Sequence, residues 1–301
     1  MGIFLGTATY KGEISNSLVN AKSLKPAIGI LYRRNLNSHW AYRIGITYGT
    51  PNASDADSDD PYQQRRNLSF RSRTLDGHFL WEFNFLPYQI ANNRTRFAPF
   101  IFGGLSVYRF NPQAELGDDW YNLQPLGTEG QGTTAYPDRE KYKRLKVAIP
   151  FGGGFKFKLS RRFGMTVEAG ARRLFTDYFD DVSSTYADKD ILLAENGELA
   201  VIFSDRSIDG QALTNTNRQR GNASDRDWYM FTGITINYSL SKNTTIIVPL
   251  FVGNCVNEKS HKAYFITFDA SLKTDEFQRS NHCRKIAFAR FHYYGWKWQM
   301  G

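Results

Sequence analysis

The chain has 301 residues, of which 41% are hydrophobic and 15% aromatic, and it carries a formal net charge of +9 at pH 7. No run approaches the roughly 18–20 consecutive apolar residues that a spanning helix needs, which excludes a helical membrane protein. Its negative mean hydropathy does not exclude a membrane β-barrel, because only alternate residues of such a strand touch lipid and long polar loops dilute the average.

Alternation of apolar and polar residues, the pattern of side chains that point to opposite faces of a strand, predicts strands over residues 2–12, 25–34, 40–50, 68–85, 97–110, 145–159, 163–175 and 227–240. The first opens directly at Met1-Gly2-Ile3-Phe4-Leu5 without the regions of a signal peptide, so an exported chain implies a truncated or missed start upstream. Ile3, Phe4 and Leu5 are apolar on both faces, as are Phe100, Ile101 and Phe102 in the fifth strand. In the third, Trp40, Tyr42, Ile44, Ile46 and Tyr48 face one way and Ala41, Arg43, Gly45 and Thr47 the other. The fourth sets Phe79, Trp81, Phe83 and Phe85 against Leu80, Glu82 and Asn84. The sixth sets Val147, Ile149, Phe151, Phe155, Phe157 and Leu159 against Ala148, Gly152, Gly154, Lys156 and Lys158. The last sets Ile234, Ile236, Tyr238 and Leu240 against Gly233, Thr235, Asn237 and Ser239.

The connections alternate in length. Residues 13–24, 51–67, 111–144 and 176–226 are long, whereas 35–39 and 160–162 are tight and 86–96 moderate. Outer-membrane barrels show this asymmetry, with short turns in the periplasm and long loops outside. The prediction is an all-β fold: an eight-stranded antiparallel transmembrane β-barrel with long extracellular loops over residues 1–240, followed by a C-terminal extension over residues 241–301. Both ends of the barrel domain then fall on the periplasmic side, and outer-membrane lipid is the first partner. A soluble eight-stranded sandwich is the competing architecture.

On the inward faces, Glu82 and Glu168 are placed to meet Arg33, Arg43, Lys156 and Arg172. Charges removed from water must be paired, and an eight-stranded interior is only wide enough for side chains. A salt-bridged plug is the favoured reading and a proton or ion path the other.

Several segments are too particular to be filler: RNLSF at 66–70, FNFLPY at 83–88, RFAPFIFGG at 96–104, WYNLQPLGTEGQGTTAYPDR at 120–139, AIPFGGGFKFKLSRRFG at 148–164 and FTDYFDDVSSTY at 175–186. With these motifs in order over roughly residues 3–240, the chain resembles the PorG family of Bacteroidetes outer-membrane proteins. The resemblance implies a component of the type IX secretion system, which serves gliding motility in some species. It also implies association with a periplasmic ring of PorK and PorN type, in a role other than the conduit. Residues that would bind a partner are then Tyr121, Gln124, Thr128, Glu129, Gln131, Tyr136 and Asp138 in the third long connection, which would otherwise fold over the barrel mouth as a lid. At the periplasmic rim Arg94, Arg96, Arg161 and Arg162 would meet ring subunits or lipid head groups.

Other signals carry less. Gly152-Gly153-Gly154 lacks the Lys-Ser or Lys-Thr and the helix of a phosphate loop. Asp55, Asp57, Asp59 and Asp60 suggest calcium, but an EF-hand loop would want Glu where Arg66 stands, so a solvated loop is expected. His78 lies near Asp76 without a Ser partner, and His39 sits in a turn, so no catalytic set is expected. No cofactor or metal site is expected either. Residues 241–301 hold nine Lys or Arg against four Asp or Glu, with Phe288, Phe291, Tyr293, Tyr294, Trp296 and Trp298. This tail departs from the PorG pattern and does not indicate nucleic-acid binding. Its Cys255 and Cys283 would pair only if exported and suitably placed. The alternative function is a structural or small-ligand-binding barrel unrelated to secretion.

Overall fold

The computed structural model describes residues 1–18, 23–90, 95–208 and 215–240 in full, and the backbone of residues 245–252 and 285–292. It divides into a unit of Met1–Leu240 and a second of Ser241–Gly301. In chain order the first unit contains β1 (Gly2–Lys11), β2 (Lys25–Asn35), β3 (Trp40–Gly49), β4 (Asn52–Ser54), α1 (Pro61–Arg66), β5 (Ser69–Ser72), β6 (Thr74–Asn84) and β7 (Phe97–Arg109). It continues with β8 (Pro112–Leu116), β9 (Asp119–Asn122), β10 (Leu145–Lys158), β11 (Phe163–Leu174), α2 (Lys189–Glu195), α3 (Glu198–Ser204) and β12 (Trp228–Tyr238).

Eight of these strands close into an antiparallel barrel in the order β1-β12-β11-β10-β7-β6-β3-β2. Chain neighbours pair throughout, and the seam between first and last strands runs from Gly2↔Asn237 to Lys11↔Trp228. The Met1 amino group donates to the Tyr238 carbonyl at 2.9 Å, extending that seam by one bond. Closure leaves no unpaired sheet edge, which a membrane-spanning sheet requires.

Alternation fixes what each face touches. Along β3, Ala41 and Arg43 are buried while Trp40, Ile44, Ile46 and Tyr48 are exposed; along β6, Leu80, Glu82 and Asn84 are buried while Phe79 and Trp81 are exposed. Phe4, Phe100 and Phe102 point inward and Ile3, Leu5 and Ile101 outward, which settles the two strands whose faces looked alike. Ile30, Leu105 and Leu145 are 65%, 69% and 63% exposed. A continuous apolar belt of that extent around a polar interior suits hydrocarbon and not water, so the soluble sandwich is excluded. No described helix is long and apolar enough to cross a membrane.

The structure corrects one predicted strand. Residues 68–85 form two elements, because the chain changes partners at Arg73: β6 stays in the barrel, whereas β5 joins a four-stranded sheet ordered β4-β5-β8-β9. Leu68, Phe70, Ser72, Thr74 and Asp76 are all buried, so inward parity runs unbroken through the switch and the sequence pattern carries no mark of it. The small sheet and all three helices belong to the long connections.

Close approach of strands explains the glycine run. A Cβ at Gly154 would lie 2.0 Å from the Val167 carbonyl oxygen and 2.8 Å from Glu168 Cα, both backbone atoms of β11. Gly154→Val is therefore expected to cost about 1–3 kcal/mol or more, the range for forcing side chains into a filled interior. Measured by heat-modifiable gel mobility after refolding in detergent, the folded fraction should fall sharply; a wild-type fraction would refute the close contact.

In the second unit, β13 (Thr245–Val252) and β14 (Lys285–His292) pair antiparallel from Thr245↔His292 to Val252↔Lys285. Cys255, Cys283, Tyr293, Tyr294, Trp296 and Trp298 lie outside the described residues, as do the side chains of Phe288 and Phe291.

Candidate functional site

The lumen is filled by an ionic network. Glu82, fully buried, receives Lys156 Nζ at 2.6 Å, Arg33 Nε at 2.8 Å and Arg43 Nε at 3.2 Å. Arg43 also donates to both Glu168 oxygens at 2.7 and 2.6 Å, and Lys156 to Asn84 Oδ1 at 2.7 Å. Aromatic rings complete the packing: the Lys156 ammonium lies 4.3 Å from the Phe100 ring centre and the Arg43 guanidinium 5.0 Å from that of Phe102. Five of the six predicted residues thus meet, and Arg172 is the correction. Its nearest acid is Asp76 at 3.7 Å, and it lies over Phe231 at 4.6 Å, beside Tyr229, which donates to Asp76 at 2.6 Å. A gap of about 10 Å³ bordered by Phe4, Arg43, His78, Glu168 and Arg172 is water-sized.

His78 Nδ1 sits 2.8 Å from Asp76 Oδ1. Ser106 is its register partner on β7, but the imidazole Nε2 leans to the opposite flank, 2.6 Å from where a Cβ on Gly45 of β3 would stand. No nucleophile, base and orienter set is assembled from these three residues.

The long connections fold onto one another as a cap. Glu129 is its hub: the carboxylate accepts from Ser183 N at 2.9 Å, Ser184 N at 3.0 Å, Ser184 Oγ at 2.7 Å and Arg220 at 2.9 Å. Thr128 and Tyr142 donate to Asp181 at 2.5 and 2.6 Å, and Gln131 Oε1 accepts from Glu129 N at 3.0 Å. The glycines of the LGTEGQG stretch permit this path, since Gly127 and Gly130 adopt φ of +60° and +84°. Thr128, Glu129 and Gln131 are therefore buried staples, a correction to their expected role as partner contacts. Tyr136 Oη accepts from Asp188 N at 2.9 Å, Gln124 donates to the Tyr142 carbonyl at 3.0 Å, and Tyr121 packs against Phe203. Those three are partly buried, and Asp138 alone of the seven is exposed. Asp55 is likewise buried rather than solvated, paired with Arg66 at 2.7 Å. Arg66 is the residue whose presence argued against an EF-hand.

At the opposite rim Arg96, Arg161 and Arg162 are exposed, and Arg162 reaches the Tyr238 hydroxyl at 3.4 Å; Arg94 lies outside the described residues.

Sequence reasoning missed one constellation. Oxygens of Glu13, Asp180 and Asp227 lie within 4.8 Å of one another at the base of the cap. The Tyr10 hydroxyl bridges two of them, 2.6 Å from Asp180 Oδ2 and 2.8 Å from Asp227 Oδ1. Phe179 N donates to Asp227 Oδ2 at 2.9 Å and Val182 N to Asp180 Oδ1 at 3.0 Å. Asp177 stands beside Glu13, 5% exposed. Burial, compounded by mutual repulsion, pushes Asp180 up to about 8 and Glu13 up to about 12, and raises Asp227 well above the carboxylate range. Burial likewise raises Asp177 to about 6. The acids of FTDYFDD were visible in the sequence, but Glu13 and Asp227 arrive from distant parts of the chain.

A closed eight-stranded barrel, greasy outside and ion-plugged within, defines a membrane β-barrel of the outer-membrane type. Within that class the chain belongs to the family described as Domain of unknown function (DUF6089), which matches residues 1–201. Among solved structures it is similar to Neisserial surface protein A, at 9% identity and a TM-score of 0.36, over 79% of this chain and 95% of that one. It is also similar to Ail, the attachment invasion locus protein of Yersinia pestis, at 8% identity and a TM-score of 0.33, over 79% and 94%. A third is the outer membrane enzyme PagL, at 11% identity and a TM-score of 0.31, over 79% and 100%. No curated protein matches the chain in sequence.

Proposed function

We propose that this protein is a non-enzymatic outer-membrane component of a type IX protein secretion machinery, anchoring or assembling a periplasmic ring of PorK and PorN type. The observation that carries the reading is the filled lumen: Glu82 and its cations leave no channel, so the barrel acts through its surfaces. The ordered PorG-like motifs supply the identity of the machinery. The exposed rim where Arg161 and Arg162 project from the tight turn between β10 and β11 is the surface this reading assigns to the ring. A second reading, a small-ligand-binding barrel, is favoured by an open cleft of about 430 Å³ in the cap, bordered by Lys11, Glu13, Tyr62, Arg66, Arg226 and Trp228.

Charge reversal at both rim residues, Arg161→Glu with Arg162→Glu, tests the first reading. Barrel insertion should persist, because both side chains are exposed, while co-purification of ring subunits drops at least tenfold. Unchanged association rejects the rim contact, and failure of the unaltered protein to capture ring subunits rejects the secretion assignment.

A further inference from the structure

We propose that the base of the extracellular cap is a binding site for a hard divalent cation of the calcium class, held by Glu13, Asp177, Asp180 and Asp227. Carboxylate oxygens of Glu13, Asp180 and Asp227 already converge within 4.8 Å. Asp177 is the independent observation: it is 5% exposed, neither of its oxygens accepts from a backbone N–H or pairs with a cation, and its carboxyl lies against that of Glu13. Both Glu13 oxygens are buried and likewise accept from no N–H donor. The cluster therefore presents four oxygens that no N–H donor engages, while the other two carboxyls are held in place by Tyr10 and by backbone N–H groups.

The charge balance elsewhere makes the site exceptional. Of the buried acids outside the cluster, Asp55, Asp76, Glu82, Glu129, Glu168 and Asp205 each meet a cationic side chain, and Asp181 accepts from the Thr128 and Tyr142 hydroxyls. Among the described residues no Lys or Arg forms an ion pair with Glu13, Asp177, Asp180 or Asp227; Arg66 and Arg220 are committed to Asp55 and Glu129, and Arg226, whose charge reaches Asp177, is exposed. Burial of several ionised carboxyls without a counter-charge is costly, so without a metal the cluster holds protons, and a divalent cation would take their place. The donor set is all oxygen, without His or Cys, which selects calcium or magnesium over zinc or copper. Four carboxylates at flexible spacing suit the six to eight ligands of calcium better than the strict octahedron of magnesium. An entry path exists, because Glu13 borders the open cleft with Lys11 and Trp228. Residue 13 follows β1 and residue 227 precedes β12, so the ion would clamp the outer end of the barrel seam to the connection carrying residues 177–180.

The test uses the full chain refolded in detergent, stripped with EDTA, and titrated with Tb³⁺ and Ca²⁺. Trp228 at the cleft should sensitise terbium luminescence. One saturable site per chain is expected, with Ca²⁺ displacing terbium at roughly 10⁻⁴–10⁻³ M, the range of extracellular calcium modules. Asp177→Asn with Asp180→Asn should weaken Ca²⁺ binding at least tenfold, whereas Asp138→Asn on the exposed cap should not change it. Heat-modifiable mobility verifies that each variant folds. Limited proteolysis gives a second readout: EDTA should speed cleavage within residues 176–226 of the unaltered protein several-fold, and should make no difference in the double variant. Absence of saturable binding up to 10 mM Ca²⁺, or binding that the double variant retains in full, overturns the proposal.

Discussion

Glu82→Ala is expected to cost about 3–5 kcal/mol of barrel stability, the range for removing one partner of a buried ion pair and stranding the other. The effect belongs at the upper end, because a single carboxylate on β6 serves Lys156, Arg33 and Arg43 at 2.6, 2.8 and 3.2 Å. Arg43 retains Glu168, whereas Arg33 and Lys156 keep only neutral partners, Asn237 and Thr166 for the first and Asn84 for the second. The measurement is the urea midpoint of the barrel in lipid vesicles, read by the fraction resisting unfolding before heating. Combining Glu82→Leu with Lys156→Met should recover part of the loss, since replacing both members of a buried pair by apolar groups is often neutral or stabilising. A midpoint for Glu82→Ala equal to that of the unaltered chain would mean that the lumen is wet enough to screen these charges.

Arg220→Ala should release the cap and spare the barrel. Arg220 donates to Glu129 at 2.9 Å and to the carbonyls of Asp181 and Ser204 at 2.6 and 3.0 Å, so its removal leaves a buried carboxylate short of its counter-charge and carbonyls unsatisfied. A local loss of about 3–5 kcal/mol follows from the same reasoning. Protease added outside vesicles or cells should then cut within residues 176–226 many times faster, while heat-modifiable mobility stays unchanged. Arg220→Lys should not rescue it, because one ammonium cannot reproduce the guanidinium fork that reaches Glu129 and backbone carbonyls together. Equal cleavage rates in the Ala variant would show that Glu129 is satisfied by Ser183 and Ser184 alone.

The barrel was legible because its physics is local: period-two alternation and the alternation of short and long connections place each strand to within a residue or two. The exception, the change of partner at Arg73, leaves inward parity intact and so leaves no trace in the pattern. The lumen network was legible for the same reason, as inward-facing charges must find each other. Arg172 was misassigned because parity fixes which face a side chain occupies and not its height along the axis, where Asp76 is nearer. A lid over the barrel mouth is one of the two readings the third long connection allows, whereas the roles of its residues do not follow from the pattern. Thr128, Glu129 and Gln131 read as partner contacts because polar loop residues usually face solvent, yet all three satisfy backbone and side-chain partners inside a folded cap. The Glu13, Asp177, Asp180 and Asp227 cluster depends on contacts between residues more than 160 positions apart, which no window of sequence reports.

Most lumen ion pairs join strands that are not neighbours, the exception being Arg43 and Glu82 on the paired strands β3 and β6. Glu82 and Lys156 stand on β6 and β10 with β7 between them, and Arg43 and Glu168 face each other from β3 and β11. A sheet that has hydrogen-bonded every neighbour but has not yet curled shut would leave Glu168 and Lys156 without their partners, as bare ions opposed to acyl chains. Their counter-ions stand across the lumen and are met only as the sheet curves. Winding, neutralisation and entry into the bilayer are thus one event for this chain, and a half-inserted intermediate would need water, or another protein, to stand in for the missing half of the wall.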